Sequence, residues 1–130
     1  MLGWRLPRSS SKKLKENTIV EKSKAFCVRA FKFCRVLEKE KLFVLANQFA
    51  RSASSIGANV WEAQHCESLA DFIHKMKIAS KEASESEYWL HIAEEMIGDK
   101  LDKRLIQDLV EIMKMLSAII NTSKRKLHQH

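Results

Sequence analysis

Apolar residues recur at alternating steps of three and four along most of this chain. That spacing is typical of an α-helix that buries one face. Four such series, here called seams, follow one another. They consist of Ile19, Ser23, Phe26, Ala30, Phe33 and Leu37; Leu42, Ala46, Phe49, Ala53, Ile56, Val60 and Ala63; Leu69, Phe72, Met76, Ala79, Ala83, Ser86, Leu90, Ala93 and Ile97; and Leu105, Leu109, Ile112, Leu116 and Ile119. The pattern predicts four amphipathic helices.

The breaks between the seams are short and lie at residues 39–41, 66–68 and 98–101. Short connections make consecutive helices run antiparallel. The sequence therefore predicts an all-α fold, an antiparallel up-down-up-down four-helix bundle.

Local signals agree with these boundaries. Ser68 and Asp71 resemble a capping box at the start of the third helix, and Gly98 suits a left-handed residue just past its end. Gly57 lies inside the second helix, where glycine costs about 1 kcal/mol relative to alanine. We expect Gly57 to mark the close approach of a neighbouring backbone.

Further apolar side chains flank the seams and widen the predicted buried faces. They are Cys27, Phe31, Cys34, Trp61, Trp89, Met96, Met113 and Ile120. One interpretation is that they pack inside the monomer, because wide apolar stripes are normal for core-facing helices. The other is a subunit interface, where aromatic and Met residues are enriched. Trp61 and Trp89 would anchor such an interface.

The composition fits one globular domain. The 130 residues are 45% hydrophobic and 30% charged, with one Pro and three Gly, so a core can form and little interrupts the helices. No apolar run approaches the roughly 20 residues that cross a bilayer. Residues 1–15 also lack the apolar stretch of a signal peptide. We therefore expect a cytoplasmic protein that does not contact a membrane.

The net charge of +7 lies mostly at the two ends of the chain. Residues 1–15 carry five basic residues and no acid, and residues 122–130 carry three, which leaves residues 16–121 at −1. We expect a basic flexible N-terminal extension over 1–15, the bundle over 16–121, and a basic flexible C-terminal tail over 122–130.

Charge is also segregated within the bundle. Lys24, Lys32, Arg35 and Lys39 fall opposite the first seam, which predicts an outward basic stripe, whereas residues 82–99 carry six acids and no Lys or Arg. The basic stripe and tail could follow a phosphate backbone. The candidate nucleic-acid-binding residues are Lys24, Arg29, Lys32, Arg35, Lys39, Lys124, Arg125 and Lys126. A solvated face, or complementary charged faces on neighbouring subunits of a ring, remain alternatives.

No set of residues points to catalysis. Glu62 with His65, and Asp71 with His74, have the spacing of metal-binding pairs in helical bundles. Each of these residues follows a seam residue by two positions and should face solvent. The three cysteines form no CxxC pair, so a zinc site is not expected. There is no P-loop or dinucleotide-binding glycine pattern. We expect no enzyme, no metal and no cofactor.

Two runs of sequence carry a family resemblance: ARSASSIGANVWEA and SLADFIHKMKIASKEASESEYWL. They resemble the four-helix bundle proteins encoded in intervening sequences of bacterial 23S ribosomal RNA genes. The matching positions in the second helix are Arg51, Ser52, Ser55, Ile56, Asn59 and Glu62. Those in the third are Asp71, Phe72, Lys75, Glu82, Glu85, Tyr88 and Trp89.

The resemblance implies an antiparallel bundle that assembles as a homo-pentameric ring. It also implies kinship with accessory proteins of diversity-generating retroelements, which partner a reverse transcriptase and bind nucleic acid through a basic surface. We expect a nucleic-acid-binding or ribonucleoprotein assembly factor, or else a scaffold that forms a ring without nucleic acid. The candidate oligomer-interface residues are Arg51, Asn59, Trp61, Glu62, Tyr88 and Trp89. Arg51 is expected to pair with a carboxylate of the third helix.

Overall fold

Four helices make up the fold. The structure is a computed structural model that describes the backbone of residues 11–129 and the side chains of residues 18–129. The helices are α1 (Ser11–Lys39), α2 (Phe43–Ala63), α3 (Leu69–Ile97) and α4 (Lys103–His128), with a short 3-10 turn at Gly98–Lys100. Consecutive helices pack together and α4 packs back against α1. The predicted all-α four-helix bundle is confirmed.

The seams form the core. Most of the seam residues are buried, and Phe26 and Phe33 of α1 both meet Phe49 of α2 edge to face, at ring-centroid distances of 6.4 and 6.1 Å. The seam ends differ from the prediction, since Leu42, Leu69, Phe72, Ile97 and Ile119 are only half-buried. At the start of α3 Ile73 is buried and Phe72 only half-buried, and near the end of α4 Ile120 replaces Ile119. An α-helix has 3.6 residues per turn, so a seam read at 3.5 drifts at its ends.

The predicted local signals are present. The Asp71 amide donates to Ser68 Oγ at 3.0 Å, so Ser68 caps α3, and Gly98 has a positive φ of 55°. A Cβ built on Gly57 would lie 3.4 Å from the carbonyl oxygen of Ser23 in α1. The α1 backbone therefore passes close to Gly57, as expected.

Both predicted ends of the bundle need correction. Helix α1 begins at Ser11, inside the stretch expected to be an extension, and residues 1–10 lie outside the described residues. Helix α4 continues to His128, so residues 122–128 are helical and not a separate tail. The buried face of α4 extends through Ser123, which is 1% exposed. The regular spacing of buried residues continues past residue 121, which explains why α4 is longer than predicted.

The cysteines are free thiols, with Cys34 buried and Cys27 only half-buried against the expectation that both would be buried. Burial and the neighbouring Glu38 and Cys27 raise the pKa of Cys34 to about 11. No helix in the described part of the chain is long and apolar enough to cross a membrane.

Candidate nucleic-acid interface and assembly surface

The outward face of α1 carries the predicted basic stripe. Lys24, Lys32, Arg35 and Lys39 are all exposed. Helix α1 packs against α2 and α4 through its opposite face, which holds the seam. The stripe therefore points away from the bundle.

Most of the stripe lacks a compensating acid. Lys24 lies 3.4 Å from Glu21 on the same helix. Lys32, Arg35 and Lys39 form no ion pair with any residue whose side chain the structure describes. Cations that have no acidic partner attract a polyanion such as a nucleic acid. When the cations bind its phosphates, the counterions condensed on the polyanion are released, which favours binding.

Two apolar side chains share this outward face. Phe31 is 49% exposed and Val28 is 51% exposed. On the helical wheel Val28 lies between the basic residues, and Phe31 lies beside Lys24 at the edge of the stripe. Phe31 was predicted only to flank the seam, and Val28 was not singled out. The same wheel that places Lys24 opposite the seam also places Val28 there, so this signal was present in the sequence.

Arg29 does not belong to the stripe. Its guanidinium contacts the carboxylate of Asp108 on α4, and Lys22 contacts Glu111 on the same helix. Both pairs join α1 to α4 within the monomer. The structure therefore gives Arg29 a compensated charge, which weakens its assignment as a nucleic-acid-binding residue.

The C-terminal basic cluster lies beyond one end of the stripe. Lys124, Arg125 and Lys126 occupy the last turns of α4, and Arg125 Nη2 donates to Thr122 Oγ1 at 3.3 Å. Since Arg29 pairs with Asp108, the helical rise places Lys124 about 39 Å from Lys39 and about 16 Å from Lys24 along the bundle axis. The C-terminal cluster therefore lies beyond the Lys24 end of the stripe.

A row of polar contacts joins α2 to α3. Arg51 bridges Glu82, at 3.3 Å, and Glu85, and Trp89 Nε1 donates to Glu85 at 3.0 Å. The expected pairing of Arg51 with α3 carboxylates is therefore present. Since the Glu85 carboxylate is held by Arg51, the network fixes the indole of Trp89.

The same row continues along the two helices. Ser86 Oγ donates to Ser52 Oγ at 2.8 Å in the core, and Lys75 Nζ donates to Glu62 at 2.8 Å near the α2–α3 turn. The hydrogen bond that Lys75 donates to the Glu62 carboxylate raises the pKa of Lys75. Six residues of the family-like motif thus join α2 to α3 inside one chain: Arg51, Ser52, Glu62, Lys75, Glu82 and Glu85.

Asn59 contributes only to its own helix, because its Nδ2 donates to the carbonyl oxygen of Ser55 at 2.8 Å. Arg51 and Glu62 were candidates for subunit contacts, and the structure gives both of them partners within the monomer. A motif of polar residues indicates that these side chains have hydrogen-bonding or ion-pair partners. It does not indicate whether the partner belongs to the same chain or to another subunit.

An exposed apolar groove lies where α2 begins and α3 ends. Phe43 and Val44 of α2, which are 56% and 77% exposed, face Trp89, Ile92 and Met96 of α3. We call these five residues the end groove. Tyr88 and Trp89 pack edge to face at 5.0 Å beside it.

The candidate interface residues fall in two places. Trp89 lines the end groove, Tyr88 packs beside it, and Arg51 is connected to Trp89 through Glu85. Trp61 lines a separate groove between α1 and α2, beside Gly57 and Ala58. Phe43 and Val44 were missed, because the second seam was read from Leu42 and they lie outside it.

The carboxylate and His pairs face solvent as predicted: Glu62, His65, Asp71 and His74 are exposed. Within the described residues, no three His, Cys, Asp or Glu side chains are placed to hold a metal ion.

Comparison with known proteins identifies relatives. The model of the 23S rRNA-intervening sequence protein family matches residues 15–118. A crystal structure of a protein of unknown function from the S23 ribosomal protein family of Bacteroides thetaiotaomicron is 43% identical, with a TM-score of 0.76. The match covers 82% of this chain and 98% of that one. No curated protein matches the sequence.

Proposed function

The chain belongs to the 23S rRNA-intervening sequence protein family, and from that premise we propose that it is a non-enzymatic, homo-oligomeric accessory protein that binds RNA or DNA. It would act in the cytoplasm within a ribonucleoprotein, with a reverse transcriptase as one candidate partner.

The observation that supports nucleic-acid binding is the uncompensated part of the α1 stripe. Cations that lie between helices, such as Arg29, Arg51 and Lys75, are paired with acids on neighbouring helices. Lys32, Arg35 and Lys39 are exposed on one face and have no such partner among the described side chains. Fixed positive charge of this kind binds phosphates by releasing condensed counterions.

The test measures binding of labelled RNA and DNA by fluorescence anisotropy at about 50 and about 200 mM salt. The variant Lys32→Glu/Arg35→Glu/Lys39→Glu should bind weakly, and neutralising the same three residues should lower the salt slope by about 2 for a single strand. Reversing Lys77, Lys81 and Lys114, which are exposed elsewhere, changes the net charge equally and is the control. Equal losses in both variants would show a general charge effect and contradict a site on α1.

A second function, a self-assembling scaffold, is favoured by the end groove. An apolar surface of this kind marks an interaction site more often than a free surface, and the Glu85 network holds its Trp89 in place. We assign its occupant as a second copy of the chain, in line with the homo-pentameric ring implied by the family.

Light scattering tests this assembly. Val44→Glu places a charge in the groove and should reduce the mass, because burying an unpaired charge opposes association. Val110→Glu, at an exposed position on α4, is the matched control. A monomeric wild-type protein, or equal masses for the wild type and Val44→Glu, would contradict the assignment.

A further inference from the structure

The α1 stripe contains an aromatic side chain that a purely electrostatic surface does not need. Lys24, Val28, Phe31 and Arg35 follow one another at steps of three or four, so each lies about one turn from the next. The other two aromatic residues in the described part of α1, Phe26 and Phe33, are buried against Phe49. Phe31 alone among them is turned outward, with half of its surface exposed.

The shape of the partner follows from that aromatic ring. A duplex presents phosphates on its outside and keeps its bases stacked inside, where a side chain on a convex helix face cannot stack on them. Single strands expose base faces, and proteins bind them by combining cations that follow the backbone with aromatic rings that stack on bases. A stripe of cations with one exposed ring matches the second arrangement.

Resting on the proposed nucleic-acid-binding function, we infer that the outward face of α1 binds single-stranded RNA or DNA, with a base stacked on Phe31 and the adjacent phosphates held by Lys32 and Arg35. The stripe from Lys24 to Lys39 extends about 22 Å along the helix. That length suits a site of about four nucleotides, at the small end of the range for single-strand-binding surfaces.

Recognition at this site should tolerate sequence changes. Every base has a face that stacks on a phenyl ring, and the cations contact only phosphates. Val28 adds apolar surface one turn before Phe31, where a neighbouring sugar or base can pack. The stripe offers no described Asn or Gln that could read a base edge, since its exposed members are Lys, Arg, Val and Phe.

The test uses the full chain and a labelled single strand of about 12 nucleotides, with the corresponding duplex as competitor. Phe31→Ala should weaken single-strand binding by about 5- to 150-fold, the range for loss of one stacked base. Its salt slope should stay unchanged, because no cation is lost. Phe31→Tyr keeps the ring and should retain binding. Val110→Ala, which removes exposed apolar surface on α4 outside both proposed surfaces, is the control and should bind like the wild type.

The outcomes separate this inference from the proposed function. If neither single strand nor duplex binds, the proposed function fails and the inference with it. If the duplex binds as tightly as the single strand and Phe31→Ala resembles Val110→Ala, the function stands and the inference is overturned. If Phe31→Ala lowers the mass by light scattering and leaves affinity unchanged, the face is a protein contact, which also overturns the inference.

Discussion

The buried serine pair between α2 and α3 gives a sharp prediction about stability. Ser52 and Ser86 are both 0% exposed. Ser86 Oγ donates to Ser52 Oγ at 2.8 Å, and Ser52 Oγ donates to the Phe49 carbonyl oxygen at 3.2 Å. We expect the stability losses of Ser52→Ala and Ser86→Ala to add up to more than the loss of the double variant.

The expected magnitudes follow from which hydroxyl loses a partner. Ser52→Ala removes the acceptor and leaves the buried Ser86 hydroxyl without it, which costs about 1–3 kcal/mol. Ser86→Ala costs about 1 kcal/mol, because Ser52 keeps its bond to Phe49. The double variant leaves no buried hydroxyl unpaired. The gain in helix propensity from alanine, about 0.5 kcal/mol at each site, is also present in the single variants and cancels in the comparison. The loss of the double variant should therefore be below about 1 kcal/mol, a coupling of about 1–3 kcal/mol.

Urea unfolding followed by far-UV circular dichroism measures these free energies at one fixed protein concentration, since assembly would shift the apparent stability. Ser54→Ala is the matched control, because Ser54 bonds only to the Arg51 carbonyl of its own helix and is not buried. It should change stability by less than about 0.5 kcal/mol. Additive losses in the double variant would refute the reasoning, since they would mean that the two hydroxyls do not depend on each other.

Three further predictions concern pH, packing and the end of α4. The raised pKa of Cys34, about 11 against the ordinary 9.0, means that the buried thiol resists ionisation. The neutral Cys34 thiol contributes to the stability of the folded state fully below pH 9, and this contribution is lost as the pH rises to 11. Over that range the urea midpoint of Cys34→Ala should therefore fall by less than the midpoint of the wild type. Gly57→Ala places a Cβ at ordinary contact with Ser23 and should raise stability by up to about 1 kcal/mol in thermal melts, whereas Gly57→Leu should lower it. Arg125→Pro should cost about 1–3 kcal/mol because it lies inside α4, while Gln129→Pro, just past its end, should be neutral in the same melts; equal effects would contradict a helix through His128.

The core residues could be predicted from the sequence because buried positions recur at a regular spacing along each helix. Each seam position from Phe26 to Leu37, and from Leu105 to Leu116, is buried because a helix returns to the same face every three or four residues. The end of α4 was not predicted, because its three consecutive basic residues suggested a solvated tail. The face nevertheless continues through Ile120 and Ser123. Cations in the last turns also interact favourably with the helix dipole, so basic composition is compatible with a helix there.

The polar motif shows a different limit. The sequence indicated that Arg51 would pair with a carboxylate of α3, and it does. It could not tell that Glu62 is used within the chain, because a polar side chain on a helix flank can reach a neighbouring helix or a neighbouring subunit equally well. The packing of α2 on α3 decides which partner Glu62 has, because it places Lys75 Nζ at hydrogen-bonding distance from the Glu62 carboxylate.

The division between compensated and uncompensated charges is the basis for assigning roles to the faces. The cations that lie between helices, such as Arg29 and Arg51, meet acids there, because a half-buried charge without a partner would cost desolvation energy. Lys32 and Arg35 face outward, where water solvates them and folding requires no acid nearby. The fold therefore does not require these cations to lie beside an exposed phenyl ring. The single-stranded nucleic acid that we propose would account for this arrangement, because it uses the charges and the ring at once.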